Sequence, residues 1–203
     1  MTTRWISLDW DGRREGQGFP PVKAGLVLAD PPWSFLTWGN HRTTPHRGAS
    51  EHYRVRTRQE LSQIPVASLC AEDSVLVMWV VSSHLPDALA LMGDWGFSYK
   101  SLGFNWVKTA KDGTPRMSMG YWTRQQSEIA ILGTRGKPKC LDRGVRQVIM
   151  EPRRAHSQKP DCVHDRCRDL VRGPYLELFS RRPRFGWTVW GDEVDKLAEG
   201  SGA

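Results

Sequence analysis

Two continuous apolar runs constrain the fold of this chain most strongly. "AGLVLAD" at residues 24–30 and "SVLVMWVVS" at residues 74–82 show no alternation of polar and apolar residues. A strand with one solvated face alternates, so unbroken runs predict strands that are buried on both faces of a mostly parallel sheet. Such a sheet needs helices on both of its faces, and the two runs therefore predict an α/β fold.

Further segments fit the same layered architecture. "LPDALALMGDWG" (85–96) and "DCVHDRCRDLVR" (161–172) have helical spacing, and strands are predicted at 101–108, 127–136, 175–181 and 187–191. Strands that alternate with helices predict a three-layer sandwich. The chain has 203 residues and no convincing linker or internal repeat. We therefore expect a single domain over residues 1–203, with a core at about 24–194 and flexible ends.

The composition indicates a polyanionic partner. Lysine and arginine outnumber the acids by 29 to 22, the formal charge is +7, and ten tryptophans offer flat faces on which bases stack. The four cysteines form no CxxC pair, which indicates free thiols in a reducing compartment. The polar N-terminus lacks a signal-peptide core and no apolar run approaches a membrane span. We expect a cytoplasmic protein of a bacterium or a phage-infected host, with no membrane partner.

The tetrad Asp30, Pro31, Pro32 and Trp33 follows the first buried strand directly. An exocyclic amine such as N6 of adenine is a weak nucleophile because its lone pair is delocalised into the ring. A carboxylate and a carbonyl that accept its two N–H groups make the lone pair available. Asp30 offers the carboxylate, and Pro31 offers a carbonyl held by ring-restricted backbone. Trp33 offers a stacking face worth about 1–3 kcal/mol.

Several motifs occur in an order that resembles one known family. They are "DPPW" (30–33), "SVLVMWV" (74–80), "FNWVK" (104–108), "GYWTRQQSEIAILGTRGKP" (120–138), "HSQKPD" (156–161) and "YLELFSRRPRFGWTVWGDE" (175–193). Together with "YRVRTRQELSQIPVASL" (53–69), which has a short helix before "IPV", they resemble the MT-A70-like adenine methyltransferases over about residues 24–194. The tetrad alone also occurs in other amino-methylating families, whereas the combination is specific.

The resemblance implies a fold, an activity and a cofactor. The fold is the class I, Rossmann-like fold of methyltransferases that use S-adenosylmethionine (AdoMet), with a seven-stranded sheet between helices. Its strands follow the permuted β-class order, in which the catalytic strand comes first and the AdoMet-binding strands come last. The activity is transfer of a methyl group to N6 of adenine.

The resemblance also implies roles for single residues. Asp30, Pro31, Pro32 and Trp33 match the catalytic tetrad. The residues expected to bind AdoMet are Asp30, Lys159, Glu177, Arg181, Asp192 and Glu193. Glu177 enters as an acceptor for the ribose diol, beside Asp192 and Glu193. Asp192 stands where the family commonly has Asn, and Arg182 and Arg184 compete with Arg181 for the matched arginine.

Basic segments beside the predicted strand ends suggest a nucleic-acid interface. We expect a phosphate-binding rim and a stacking aromatic from these residues: His41, Arg42, Arg47, Arg54, Arg56, Trp122, Arg153 and Arg154. Trp38 and Tyr121 are further stacking candidates. For the basic segments a solvated surface is the alternative, and for each tryptophan a structural role in the core is the alternative.

A zinc site is not expected. His156, Cys162, His164 and Cys167 have ligand chemistry but no CxxC knuckle. On one helix Cys162 and Cys167 would point about 140° apart, so the four side chains cannot easily converge.

The sequence thus predicts a site-specific, adenine-specific DNA methyltransferase that acts on a flipped or unpaired base. RNA N6-adenine methylation, methylation of another planar amine, and a non-catalytic nucleic-acid-binding protein with this fold are the alternatives. DNA is preferred because the chain is compact and carries no recognised RNA-binding module. A homodimer or a partner subunit is expected, because so small a chain has little surface for target recognition.

Overall fold

A computed structural model describes residues 3–9, 12–33, 56–118, 120, 122–154 and 158–194. In this part of the chain nine strands form one sheet in the order β2-β1-β9-β8-β3-β4-β6-β5-β7. The strands are β1 (Arg4–Asp9), β2 (Gly12–Gln17), β3 (Ala24–Ala29), β4 (Cys70–Val80), β5 (Ser98–Thr109), β6 (Ser127–Arg135), β7 (Val148–Pro152), β8 (Tyr175–Leu178) and β9 (Thr188–Gly191).

The first apolar run forms the central strand, β3, as predicted. All of its residues are buried, and it pairs in parallel with β4 on one side and β8 on the other. Leu26 lies opposite both Val75 and Tyr175. A strand in this position has no solvated face, which explains why its sequence does not alternate.

Helices cover both faces of the sheet and confirm the three-layer prediction. Helices α1 (Arg58–Ser62), α2 (Val66–Leu69) and α3 (Leu85–Asp94) bury apolar side chains such as Leu61 and Leu91 against one face. Helix α4 (Cys162–Leu170) buries Val163 and Cys167 against the other face. The longest of these helices has ten residues, and no helix in the described ranges is long and apolar enough to cross a membrane.

The sheet differs from the prediction in the direction of its strands. It is mixed rather than mostly parallel, because β6 runs antiparallel to both β4 and β5, and β1 runs antiparallel to both β2 and β9. An apolar run reports burial on two faces but carries no information about the direction of the neighbouring strand.

The sheet also has more strands than the implied seven. Strands β1 and β2 lie in the N-terminal segment that was expected to be flexible, and Ile6 of β1 is fully buried. The polar sequence of β2 ("GRREGQ") gives no strand signal, since this edge strand is held by its pairing with β1. The strand that leads into the tetrad, β3, precedes β8 and β9 as implied, but it is not the first strand, because β1 and β2 come before it.

One edge of the sheet collects the predicted functional segments. The carboxyl ends of β3, β4, β5, β7 and β8 meet the amino end of β6 there, with Val80 opposite Ile129 and Val107 opposite Ser127. Ligands of open α/β sheets bind beyond the carboxyl ends of the strands. The polar, turn-rich segment 109–123 begins at this edge, and the similar segment 37–52 lies outside the described residues.

Candidate active site

The tetrad forms a hydrogen-bonded tip directly after β3. The Pro31 carbonyl accepts the Trp33 N–H at 2.9 Å, and the Pro32 carbonyl accepts the Arg56 N–H at 2.9 Å. Two successive proline rings restrict the backbone between these bonds. Asp30 leads into this tip with a carboxylate that is 36% exposed. The tip therefore presents a carboxylate and a carbonyl from a restrained backbone, and the Pro31 carbonyl keeps a second lone pair.

Trp33 is more deeply placed than a base-stacking face requires. Its residue is 5% exposed, its indole Nε1 donates to the Trp79 carbonyl at 3.4 Å, and its ring stacks on His84 with centroids 5.8 Å apart. Core packing and the His84 ring thus occupy much of its surface. In the structure Trp33 packs into the core behind Asp30 and does not line the described cleft, and its stacking on an adenine stays a prediction.

Asp30 belongs to a chain of alternating charges. Lys159 Nζ lies 2.7 Å from Asp30 Oδ2 and 3.4 Å from Glu128 Oε2, and Lys108 Nζ forms an ion pair with Glu128 Oε1. Lys159 Nζ also lies 5.6 Å from the centroid of the Trp79 ring, within the range of a cation–π contact. Asp30 and Lys159, the two ends of the predicted site, are 129 positions apart in the sequence, and the fold brings them into direct contact.

Burial and ion pairing together set the pKa values of Lys159 and Glu128 in this row of charges. Burial disfavours the Lys159 ammonium, but Asp30 and Glu128 outweigh burial and raise the pKa of Lys159. Burial likewise disfavours ionised Glu128, but Lys159 and Lys108 hold the pKa of Glu128 below its usual value. Both groups are therefore charged at neutral pH.

A cleft opens beside this ion chain. It has an empty volume of about 600 Å³ including its solvent-filled mouth, and four of the predicted cofactor residues line it: Asp30, Lys159, Glu177 and Arg181. AdoMet carries an amino group, a sulfonium, a carboxylate and a ribose diol. Two carboxylates and two cationic side chains on one cleft offer partners for each of these groups, so the residues present fit the cofactor.

Glu177 stands at the middle of the cleft wall on β8. Its Oε2 lies 3.0 Å from His164 Nε2 on α4, and the His164 ring meets the edge of Trp187. The other ring nitrogen of His164 is buried and has no hydrogen-bond partner among the residues that the structure describes. One carboxylate oxygen of Glu177 is thus held by His164, which leaves the other to accept from a ligand hydroxyl.

The backbone after β8 is strained where it lines the cleft. Phe179 has a φ of +64°, a conformation that non-glycine residues rarely adopt. The neighbouring strand end is very close, since a Cβ on Gly191 would lie 2.9 Å from the Ser180 carbonyl oxygen. A glycine at the end of β9 therefore allows β8 and β9 to end side by side at the cleft.

Asp192 and Glu193, which follow β9, do not line this cleft. Asp192 Oδ2 instead accepts from Arg56 Nη2 at 3.2 Å, with both side chains about three-quarters buried. The same Arg56 donates its backbone N–H to Pro32, so it links the tetrad to the segment after β9. The cofactor roles of Asp192 and Glu193 stay predictions.

Asp161 resolves part of the ambiguity among the arginines. Its carboxylate accepts from Arg182, Arg184 and Arg154. Burial opposes its ionisation, but these hydrogen bonds hold the pKa of Asp161 well below its usual range. Arg182 and Arg184 are therefore committed to Asp161, and the match of Arg181 to the cofactor arginine stays a prediction.

The structure separates the predicted nucleic-acid residues. Trp122 is 99% exposed and Arg153 is exposed, as a nucleic-acid rim requires. Arg56 and Arg154 are half-buried and take part in ion pairs with Asp192 and Asp161. His41, Arg42, Arg47 and Arg54, with the stacking candidates Trp38 and Tyr121, lie outside the described residues.

The described cysteines and histidine with zinc-ligand chemistry do not converge on one point. All four cysteines have free thiols, Cys167 is fully buried, and burial raises the pKa of Cys162 to about 11. His164 is paired with Glu177. His156 lies outside the described residues, and no group of three metal-ligating side chains occurs among those that are described.

Sequence reasoning missed three residues that the geometry makes central. Glu128 and Asp161 lie inside the quoted motifs "SEIAILG" and "KPD", where an acid beside a buried strand or before a helix was an available signal. His84 follows the second apolar run, and no pattern in the sequence indicated its contact with Trp33.

Comparison with known proteins connects this geometry to a family. The MT-A70 family model matches residues 24–193. The chain is 30% identical over 192 residues to the Type II methyltransferase M.MunI of Mycoplasma sp., an alignment that covers 86% of this chain and 79% of M.MunI. It is 30% identical over 193 residues to the N6-methyladenosine RNA methyltransferase MTA1 of Cryphonectria parasitica, covering 86% of this chain and 52% of MTA1.

A human relative is longer still. The chain is 27% identical over 188 residues to the N(6)-adenine-specific methyltransferase METTL4 of Homo sapiens, and it spans 38% of that protein. The chain thus covers about half or less of the length of MTA1 and METTL4. A family model that matches most of the chain, together with the DPPW tip beside a cleft that fits AdoMet, identifies it. This chain belongs to the MT-A70 family of AdoMet-dependent N6-adenine methyltransferases.

Proposed function

We propose that this chain transfers a methyl group from AdoMet to N6 of adenine in DNA. The single observation that supports this most is the 2.7 Å contact between Asp30 and Lys159 on one cleft. A carboxylate that could hold the target amine and a cation that could hold the cofactor's carboxylate stand side by side there.

The amine is oriented by two acceptors. Asp30 Oδ2 is taken by Lys159, and Oδ1 accepts one N–H of the adenine amine. The Pro31 carbonyl accepts the other N–H through its second lone pair, because its first is used by the Trp33 N–H. Both hydrogen bonds push electron density onto N6 and stabilise the positive charge that grows on it during attack.

The cofactor is held by the other residues of the cleft. When bound, AdoMet supplies an activated methyl group on a sulfonium. Lys159 pairs with its carboxylate, and the free oxygen of Glu177 accepts from the ribose. Arg181 lies on the same cleft. Asp192 and Glu193 lie outside it, and only their match to the family motif assigns them to the ribose and adenine. The surplus proton of N6 passes to Asp30, whose partly exposed carboxylate opens to solvent.

DNA is favoured over RNA because this chain covers more of its DNA-acting relative than of its RNA-acting relative. The chain covers 79% of the type II methyltransferase M.MunI but 52% of the RNA methyltransferase MTA1. An adenine in a duplex cannot reach a cleft of this kind, so it is flipped out or already unpaired when it binds. RNA is the second candidate, supported by MTA1. One relative is named a catalytic subunit, and we propose a homodimer or a partner subunit here too.

The test is methyl transfer from labelled AdoMet to unmethylated plasmid DNA and, separately, to RNA. Nucleoside analysis after digestion should yield N6-methyladenine, and sequencing should map the methylated sites. Asp30→Ala should lower turnover by at least about a hundredfold while AdoMet binding stays measurable by calorimetry. The reason is that Asp30 holds the amine, whereas several residues hold the cofactor.

A matched control is Asp169→Ala, which removes an exposed carboxylate on α4. This variant should keep the wild-type rate. N4-methylcytosine as the product would support another planar amine, and AdoMet binding without any transfer would support a non-catalytic protein. A near-normal rate for Asp30→Ala would refute the proposed role of the tetrad.

A further inference from the structure

A hairpin arm extends β5 and β6 beyond the edge that carries the site. We call residues 110–126 the arm; residues 119 and 121 within it are not described. Its stem is held by backbone bonds from Arg116 N–H to the Lys108 carbonyl at 2.7 Å and from Ser118 N–H to the Gln125 carbonyl at 2.8 Å. The Lys108 N–H in turn donates to the Gln126 carbonyl at 2.9 Å. The arm is therefore hydrogen-bonded to the ends of β5 and β6, with isolated bridges between Thr109 and Pro115 and between Ser118 and Gln125.

The arm is tied to the reacting centre at its base. Lys108 at the foot of the stem pairs with Glu128, which contacts Lys159. Gln125 Nε2 donates to Ser82 Oγ at 3.5 Å, and Ser82 opens the turn that carries His84 against Trp33. The position of the arm is thus coupled to both sides of the tetrad.

The arm carries two of the most exposed apolar side chains among the described residues, Trp122 in the turn at its tip and Met117 in its stem. Trp122 is 99% exposed and Met117 is 71% exposed. The backbone of the tip folds tightly, since a Cβ on Gly120 would lie 2.0 Å from the Thr123 carbonyl oxygen. A large indole held in water by a built turn marks a contact site for a partner.

The charges around the tip indicate what that partner is. Lys111, Arg116 and Arg124 are exposed along the arm. Asp112 is the one acid of the arm, and its carboxylate accepts from the backbone N–H and the hydroxyl of Thr114. Basic residues that flank an exposed aromatic ring suit a nucleic acid better than a second copy of this basic chain.

The geometry points to Trp122 as a wedge that enters duplex DNA where the target adenine leaves the helix, an inference that rests on the proposed function. Extrusion of a base leaves a gap in the stack and an unpaired partner base. Side chains that insert between bases stabilise such distorted duplexes. Trp122 fills the gap and stacks on the neighbouring bases, while Arg116 and Arg124 contact the flanking phosphates.

The reach of the arm agrees with this role. Trp122 lies four positions before Gln126, at the foot of the stem, so their Cα atoms are at most about 14 Å apart along an extended chain. The wedge therefore stays near the edge at which Asp30 receives the extruded base. It substitutes for the base in the duplex while the tetrad holds the base outside it.

The experiment compares Trp122→Ala with the wild type on three oligonucleotides that carry one site mapped on plasmid DNA. In the first the target adenine pairs with thymine, in the second it faces an abasic position, and the third is single-stranded. Trp122→Ala should lose about tenfold in kcat/KM on the paired duplex, close to the value of one stacked base. On the other two it should stay within about twofold, because no pair has to be opened.

A second readout does not need turnover. With 2-aminopurine at the target position, the wild type should raise the fluorescence on binding, because the base leaves the stack. Trp122→Ala should still bind the duplex, as measured by anisotropy, but the 2-aminopurine fluorescence should rise little. Trp122→Phe should recover most of the rate and the fluorescence. Tyr99→Ala removes another exposed aromatic side chain, near the amino end of β5 and away from the site, and should behave as the wild type.

Four results would overturn the wedge. They are equal losses on all three substrates, no loss on any of them, a full fluorescence rise with Trp122→Ala, and a change in oligomeric state that accounts for the lost rate. The last would make the tip a contact between two copies. Absence of methylation by the wild type on every nucleic acid is a different failure, since it would overturn the proposed function and the wedge together.

Discussion

Two ion clusters at the same edge of the sheet differ in their balance of charge. In the reacting centre two lysines alternate with two carboxylates: Lys108, Glu128, Lys159 and Asp30. In the second cluster, which we call the rim, the guanidiniums of Arg154, Arg182 and Arg184 share the carboxylate of Asp161. Glu151 also contacts Arg154. The first cluster is neutral, and the second keeps a surplus of positive charge.

The central pair of the first cluster is more buried than the central pair of the second, and this accounts for the difference in charge. The side chains of Lys159 and Glu128 are each 16% exposed, whereas those of Asp161 and Arg154 are each 36% exposed, as is that of Asp30 at the open end of the first cluster. A desolvated charge is costly unless it is paired, so the inner cluster has to be neutral. A solvated rim can carry surplus positive charge, which attracts phosphates. One edge of the sheet thus combines a fixed lysine with a basic entrance.

The largest effect is expected when the inner cluster loses its central cation. Lys159→Met should lower the free energy of unfolding by about 3–5 kcal/mol, because Asp30 is left without its cation and Glu128 keeps only Lys108. It should also weaken AdoMet binding by at least about tenfold. Urea unfolding and calorimetry measure the two effects. Lys139→Met, at an exposed lysine, should change the stability by less than about 0.5 kcal/mol.

The difference in unfolding free energy between the wild type and Lys159→Met depends on pH in a way that follows from the directions of the pKa shifts. The raised pKa of Lys159 means that its stabilising contribution is present below 10.5 and is lost as the pH rises through the higher folded value. The lowered pKa of Glu128 means that its contribution is present above 4.5 and is lost as the pH falls through the lower folded value. Urea unfolding of the wild type and of Lys159→Met should therefore give the same difference in unfolding free energy at every pH between about 5 and 10. A difference that vanishes by pH 9 would contradict the pairing.

A smaller effect is expected at the rim. Asp161→Asn leaves three guanidiniums without their shared carboxylate and should cost about 1 kcal/mol, less than the inner variant because solvent screens the charges. Added salt should restore part of the melting temperature. Binding of DNA at low salt should tighten by about two- to fivefold, since one acid is removed from the entrance. Asp169→Asn is the control, and weaker DNA binding by Asp161→Asn would show that Asp161 organises the arginines for the phosphate.

The smallest effect is expected at Asp192, which belongs to neither cluster and pairs with Arg56. Asp192→Asn keeps an acceptor for a ribose hydroxyl and removes the charge that faces Arg56, so AdoMet affinity should stay within about threefold and stability within about 1 kcal/mol. In an Arg56→Met background the same change should have no further effect on stability. A loss of more than tenfold in affinity would mean that the Asp192 carboxylate itself is needed.

The strands that the sequence predicted are those in which burial dictates composition. Strand β3 had to be apolar throughout because both of its faces are covered, and its pattern was sufficient to find it. Strands β2 and β7 lie at the two ends of the sheet, and each is held by backbone pairing with one neighbour. Edge strands such as "GRREGQ" need no apolar pattern, so their sequences carried no signal.

The candidate site divides in the same way. Motif positions indicated Asp30 and Lys159, and the structure brings the two together. No pattern indicated that Glu128 lies on the other side of Lys159 or that His84 covers Trp33. The Glu128 contact depends on β6 running antiparallel beside β4, and the His84 contact depends on β4 running parallel beside β3. Local sequence encodes neither pairing.

By itself, the sequence determined the layered fold, the family motifs and the residue types that can hold an amine and a cofactor. Apolar periodicity and the chemistry of a short motif are local properties that the chain carries in every conformation. The tertiary structure decided which charges meet, which arginines are committed to Asp161 and which aromatic ring stands in solvent. The physical reason is that ion pairing and exposure depend on distances between segments, and those distances exist only once the sheet has formed.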